Sequence, residues 1–580
     1  MLKSKAISSL VPVLAVTLVL VAAFFAPSRA PFGSSLVGCV GYGYGYGYGY
    51  GGTGAPIVTG LNPNTGSTSG GTVVSVTGVG FCNTVTGVAF GATAATSFTV
   101  ESDTLLEATS PAHAAGVVDV TVTNPGGTSA TSPADLFTFA NVASISGCST
   151  SQFTLTGNNG ATWVDLGGTT SVIFTPSADS FAIVDGNADL WTSSAGFNQD
   201  LGIAVTGGAY PSVVGQPEAW KESGGFGGTF SPNAANAQTV IGVLSGVTYT
   251  AKLQWKANHA DPGTIYAGAG PIGGKFSPTC LSVRLIPVSS ATVATASSTA
   301  QYNLTGNNGS TWVDISTANL SVTYTAPADG FLVLAGNADL WTANAGFNQD
   351  IAINLDGSIA AWKESGGLNG TFSPNAAFVL DVAPVSSGTA HTAKLQWKAN
   401  HLDPGTIFAG AGPIGGKFSP TSLSVLFLPT GSAPVDKVST SQYTLSGSNG
   451  TTWQTIDSFK FTLSFTPVND CNVILGGNVD LWTANAGFNQ DIGISIVDTG
   501  FPSSPGQPEA WKESGGFNGT FSPNAAYVQD VVTLLGGHTY TAQLVWKANQ
   551  PAAGATIYAG AGPISGAFSP TRLTLQPIGC

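Results

Sequence analysis

One stretch of this chain is written three times. Gly186 to Thr192 reads Gly-Asn-Ala-Asp-Leu-Trp-Thr and is followed at once by Gly196-Phe197-Asn198-Gln199-Asp200. The pair returns as Gly336 to Thr342 with Gly346 to Asp350, and, one substitution away, as Gly477 to Thr483 with Gly487 to Asp491. Each copy is trailed by Ala-Trp-Lys-Glu-Ser-Gly-Gly, Gly-Thr-Phe-Ser-Pro-Asn-Ala, Trp-Lys-Ala-Asn, Ala-Gly-Ala-Gly-Pro-Ile and Phe-Ser-Pro-Thr, in that order. Self-similarity at a fixed period constrains a chain more than any local pattern, because each copy must be the same structural unit. The modules run over residues 142–288, 292–429 and 436–580. Module two lacks most of Gly207 to Pro217, which marks that stretch as a surface loop that tolerates change.

Within a module the periodicity is that of strands. In Tyr249-Thr250-Ala251-Lys252-Leu253-Gln254-Trp255 apolar and polar residues alternate, and Leu281, Val283 and Leu285 do the same near the module's end. No window carries a sustained helical repeat. Only 8% of the residues are charged and Gly is abundant, a composition that suits short strands joined by tight turns. The expected module is a jelly-roll-like β-sandwich, and the closing segments look like those of complement-type or phage-fibre jelly rolls. Tandem order predicts that the modules follow one another as a rod.

The N-terminus reads as an export signal over residues 1–30. Lys3 and Lys5 precede an apolar run, and Ser28-Arg29-Ala30 supplies a small-x-small cleavage site. No other apolar run is long enough to span a bilayer, so the mature chain is expected to have no transmembrane segment. Residues 31–54 include the alternating Gly-Tyr tract Gly41 to Gly52, a low-complexity linker that can bury no core. Leu36-Val37-Gly38-Cys39 looks like a lipoprotein cleavage box, but it does not follow the apolar run directly. Six cysteines beyond the cleavage site fit an oxidising compartment. The economical pairing is Cys148 with Cys280 and Cys471 with Cys580, leaving Cys39 with Cys82. A net charge of −13 argues against a nucleic-acid partner.

Between linker and modules lies a segment of different texture. Leu61-x-Pro63, Gly70-Gly71-Thr72, Thr77-Gly78-x-Gly80-Phe81, Val88-x-Phe90-Gly91, Val118-x-Val120-x-Val122-Thr123-Asn124 and Gly126-Gly127 occur in fixed order. Over residues 55–140 this pattern resembles the IPT/TIG domain. The resemblance implies an immunoglobulin-like sandwich and, since such domains occur in receptors, bacterial surface proteins, polysaccharide-degrading enzymes and some transcription factors, only a loose functional context. The expected fold class is therefore all-β, one immunoglobulin-like sandwich followed by three homologous jelly-roll-like sandwiches.

The candidate binding residues are those the copies share. They are Asp189, Trp191, Asn198, Asp200, Trp220 and Glu222 in module one. Module two repeats them as Asp339, Trp341, Asn348, Asp350, Trp362 and Glu364, and module three as Asp480, Trp482, Asn489, Asp491, Trp511 and Glu513. Carboxylates with amides suit sugar hydroxyls or Ca²⁺, and exposed Trp gives a flat platform for a sugar ring. Paired acids could also serve a glycosidase. The competing reading is turn chemistry, with Asn and Asp capping their own backbone in loops. Trp255, Trp397 and Trp546 sit on the apolar side of alternating strands and belong to the core. His259 with Asp261 and His401 with Asp403 look like a metal or acid–base pair, yet module three has Gln550-Pro551-Ala552 there. No nucleophile elbow, zincin motif, P-loop or dinucleotide fingerprint occurs. The expected function is that of a non-enzymatic bacterial surface or secreted protein binding a glycan or surface protein through repeated modules. A self-associating structural protein of the cell envelope is the alternative, and a polysaccharide-degrading enzyme the third.

Overall fold

The computed structural model describes residues 54–580, except 63–64, 68–72, 83, 114–115, 141–143, 225–231, 289–291, 367–373, 431–433, 468–470, 499–507, 516–522 and 579–580. The export signal, most of the Gly-Tyr linker and Cys39 and Cys580 lie outside the described residues. Most of the described chain is strand, with a 3₁₀ turn at Gly168–Thr170 and no α-helix among the described residues.

Residues 57–140 form two facing sheets. One runs Ile57–Asn62, Val73–Val79, Leu105–Thr109, Ser97–Ser102. The other is built around Leu136–Ala140, Gly116–Asn124 and Gly87–Phe90. Val74, Val76, Phe90, Leu106, Val120, Val122, Phe137 and Phe139 fill the space between them. The paired glycines of the Thr77-Gly78-x-Gly80 motif have separate reasons. A β-carbon on Gly78 would lie 2.1 Å from the Ile57 carbonyl oxygen, and Gly80 holds φ at +86°, where a side chain strains the backbone.

Each module is a sandwich of a six-stranded and a five-stranded sheet, the same in all three. In module one the six-stranded sheet centres on Ser180–Thr192, flanked by Thr279–Pro287 and Asp261–Ala267 on one edge and Asn233–Val243 on the other. The five-stranded sheet centres on Tyr249–Ala257 and Gln199–Thr206, with Ala219–Ser223 at its edge. The alternation read in Tyr249–Trp255 turns out as expected. Tyr249, Ala251, Leu253 and Trp255 are core residues while Thr250, Lys252 and Gln254 are half-exposed. Cys148 and Cys280 face each other in register across neighbouring strands and are bonded. Cys82 and Cys471 are disulfide-bonded as well.

The long strand Ser180–Thr192 departs from a simple sandwich strand, because both of its faces are buried. Ala182, Val184, Ala188 and Leu190 point into the module's own core. The odd-numbered residues from Ile183 to Asp189 meet the other modules. Ile183 joins an apolar cluster with Val333, Leu380, Leu426 and Tyr527, contributed by all three modules. Ala234 packs into the core of module three, Ala376 into that of module one and Ala525 into that of module two. The expected rod is thus corrected. Modules one, two and three close on one another as a single-chain pseudo-trimer, because each carries a second buried face that only another copy can cover. A head-to-tail contact whose rotation closes gives such a ring.

Candidate functional site: the module junctions

The strand Ala219–Ser223 carries Ala-Trp-Lys-Glu-Ser and docks on module two. Trp220 lies against the Gly412-Pro413 turn, so close that a β-carbon on Gly412 would come 3.0 Å from its ring. Lys221 Nζ donates to the Pro420 carbonyl, and the Glu222 N–H donates to Asp339 Oδ2 at 3.1 Å. The next junction repeats this. Trp362 meets Gly562, Lys363 donates to the Pro570 carbonyl, and the Glu364 N–H donates to Asp480 at 3.2 Å. The third returns to module one, with Trp511 on Gly270, Lys512 on the Pro278 carbonyl and the Glu513 N–H on Asp189 at 3.1 Å. The Ala-Gly-Ala-Gly-Pro-Ile and Phe-Ser-Pro-Thr motifs are therefore the socket for the Trp-Lys-Glu strand of the preceding module. Glycine is required at Gly412 both by the Trp ring and by a φ of +106°.

Behind this contact lies a second layer of charge. Lys256 pairs with Asp200 and sits 5.2 Å from the centre of the Trp163 ring. Lys398 with Asp350 and Trp312, and Lys547 with Asp491 and Trp453, repeat the arrangement. Glu222 Oε1 accepts from Asn198 Nδ2 at 3.1 Å and Asn258 Nδ2 at 2.9 Å. Burial dominates the titration of the junction acids and of Lys221. It raises Asp189 and Asp339 to about 6 against the pull of Lys512 and Lys221 respectively, and lowers Lys221 to about 8. Burial, and after it the carboxylates of Asp200 and Asp339, hold Glu222 well above the ordinary carboxylate range. Each junction thus holds two oppositely charged couples and one acid that burial shifts toward its neutral form.

All eighteen candidate residues are interior. The most exposed of them, Trp191 and Trp341, reach 8%. Trp191 stacks on Tyr266 with ring centres 3.8 Å apart, and its Nε1 donates to the Gly268 carbonyl. Trp220 leans on Trp163 inside the junction. Neither offers a free platform. Nor are the acids turn caps, since Asp189, Asp200 and Glu222 lie within strands. Asp200 and Glu222 alone of the six also floor an open cleft of about 420 Å³. Its walls are Gly196, Asn258 and His259 from module one and Gly412, Pro413 and Ile414 from module two. His259 and Asp261 do not act together there. The imidazole Nε2 bonds the Gly196 carbonyl at 2.8 Å, while Asp261 accepts from the Gly263 N–H. In module three Gln550 donates to the equivalent Gly487 carbonyl and so replaces the histidine.

For a metal, the one group of three suitable ligand atoms among the described residues is Cys148, Cys280 and Asp530, and both sulfurs are committed to a disulfide. The candidate set left out Lys256, Asn258 and the Gly-Pro-Ile turn, and took Lys221 only as a flank of the shared acids. Their signal was strict identity among the copies at positions that alternation would assign to solvent.

Residues 56–139 match the family model of the IPT/TIG domain, and that part of the chain is an IPT/TIG domain. No curated protein matches the chain. Among solved structures, SGBP-B from a complex xyloglucan utilization locus in Bacteroides uniformis matches at 13% identity, over 40% of this chain and 74% of that one, with a TM-score of 0.16. The T13 particle of infectious bursal disease virus matches at 10% identity over 75% and 78%, with a TM-score of 0.17. Likenesses this slight carry no argument. No described helix is long and apolar enough to cross a membrane.

Proposed function

We propose that this chain is an exported structural protein of the cell exterior, in which the three modules form one closed, rigid block carried behind an IPT/TIG domain. The observation that carries this reading is the burial of each Trp-Lys-Glu strand on the next module, in contacts that run from module one to two, two to three and three to one. Residues repeated so strictly have a common task, and here that task is closure. A cell-envelope scaffold needs no catalytic group, and cross-links between neighbouring strands such as Cys148–Cys280 suit an oxidising exterior. The export signal read in the sequence supplies the route.

The test is made on intact producing cells with the full chain. A membrane-impermeant amine label should reach the protein, and external protease should leave the three-module block uncut. Asp339→Ala, which removes the acceptor joining modules one and two, should leave the label but expose the block to cleavage. An unlabelled chain would refute the location, and an equally resistant variant would refute closure as the shared residues' task.

A further inference from the structure

The junctions contain more than closure requires. In the cleft between modules one and two, Asp200 is 1% exposed, and its Oδ1 has no hydrogen-bond partner among the described residues although Oδ2 is held by Lys256. The corresponding oxygens of Asp350 and Asp491 are in the same state. A buried acceptor left unmade costs about 1–3 kcal/mol, and three copies of one orphan are a repeated feature rather than an accident of packing. Beside it stand Glu222 and the half-exposed Asn258, and across the cleft the wall is Gly412, Pro413 and Ile414.

We infer that each junction cleft is a binding site for a small neutral polyhydroxylated ligand, such as the terminal residue of an extracellular sugar, lying between the polar floor of one module and the Gly-Pro-Ile turn of the next. The lining has one polar and one apolar side, which matches a ring with hydroxyls on its edge and C–H groups on its face. The volume of about 420 Å³ falls within the range of small-molecule pockets. Charge selects against ions. Asp200 is already compensated by Lys256, the Lys221 charge faces Asp339, and burial shifts Glu222 toward its neutral form, so little unbalanced negative charge is left to hold a cation. An anion would meet carboxyl groups. Hydroxyls, which donate and accept, suit the mixed set of carboxyl groups and amide.

The residues of floor and wall recur at the other two junctions, as Asp350, Glu364 and Asn400 with Gly562, Pro563 and Ile564, and as Asp491, Glu513 and Asn549 with Gly270, Pro271 and Ile272. Three sites per chain follow, and the inference goes beyond the scaffold reading without depending on it.

The experiment uses the full chain and titrates it with the common neutral hexoses, pentoses and their methyl glycosides, with calcium chloride as a separate arm, followed by calorimetry. Saturable binding of at least one neutral sugar is expected. The triple variant His259→Arg, His401→Arg and Gln550→Arg crowds all three clefts from the exposed rim, where Arg can still donate to the Gly196, Gly346 and Gly487 carbonyls, and should weaken that binding about tenfold or more. Its thermal midpoint, measured alongside, should stay at the wild-type value, so that lost binding is not lost structure. No saturable binding by any sugar in the panel would overturn the proposal. So would binding unchanged in the triple variant, or saturable binding of Ca²⁺ in place of sugar.

Discussion

Two kinds of contact hold the three modules together, and they differ in how they are written. At the junctions the residues are the same in every copy: Trp220, Trp362 and Trp511; Lys221, Lys363 and Lys512; Asp339, Asp480 and Asp189. On the inward faces that meet one another the residues differ. Asp185 in module one corresponds to Ala335 and Gly476, Gln238 to Leu380 and Gln529, Arg284 to Leu426 and Gln576. The contacts differ accordingly. Arg284 donates to Gln576 between modules one and three, Ser424 to Gln238 between one and two, and Arg572 pairs with Asp381 between two and three. The difference separates two tasks. Identical junctions let any module dock on any other, and unlike inner faces fix which neighbour each one meets.

The strongest way to break the first half of that comparison is to strip one junction of a charge. Asp350→Ala leaves Lys398 buried at 1% exposure without its carboxylate, and removing one partner of a buried pair costs about 3–5 kcal/mol. All twelve Trp lie in the modules, so tryptophan emission follows the block without interference from the IPT/TIG domain. In denaturant the whole emission change of the full chain should shift to a lower midpoint as one transition. Emission that splits, with one module's share moving and the rest unchanged, would show that the modules are stable independently and that the ring is not a single cooperative unit.

That cooperativity explains which parts of the fold the sequence disclosed. The sandwich was legible in Tyr249 to Trp255 because the side facing its own core is apolar and the other side is half-solvated. Closure was not legible, because the partner of Glu513 is Asp189, 324 residues away. Alternation reports only that a face is polar, and it assigns polar faces to water. Asp189 and Lys221 are polar and dry. The clue lay in comparing copies. On the solvated side of one strand Lys252 and Gln254 become Gln543 and Val545 in module three, whereas Lys256 stays lysine as Lys398 and Lys547. A solvated position drifts, and a buried charge facing a fixed partner cannot. The cleft was half legible: Asp200 and Glu222 were singled out, but its far wall belongs to another module.

A smaller, graded perturbation comes from pH. Burial raises Asp189, Asp339, Asp350 and Asp491 to about 6, from an ordinary value near 3.8. The folded block therefore holds these protons more tightly than the unfolded chain does. Their contribution to stability is fully present below about pH 4 and is lost as the pH rises through about 6. Lys221 and Lys363, lowered to about 8, stay charged in both states across that window and leave the direction unaltered. The denaturant midpoint read by tryptophan should fall between pH 4.5 and pH 7.5. A midpoint that climbs over the same interval would mean that the junction acids are held as carboxylates by stronger partners than Lys and backbone N–H.

The smallest effect is expected where the copies differ. Asp185 is raised to about 6 by burial and accepts from Gln238 at 2.9 Å, while Arg284, lowered to about 10 by burial, reaches Gln576 at 3.0 Å. Module two does without such groups, using Ala335 and Leu426 at these positions. The triple change Asp185→Ala, Arg284→Leu and Gln576→Leu converts the Asp185, Arg284 and Gln576 positions to apolar packing, while Gln238 keeps Ser424 as a partner. Replacing a buried polar set as a whole is often neutral, whereas removing one member strands the rest. The triple variant should keep its denaturant midpoint or gain slightly, and Arg284→Leu alone should lose several kcal/mol, on the order of a broken buried pair. If the triple variant instead fell as far as the single one, the inner polar contacts would be a source of stability in their own right. Equal stability with the tryptophan emission of the folded chain preserved would leave them the narrower role of fixing neighbour order, on top of a closure that the identical junctions already supply.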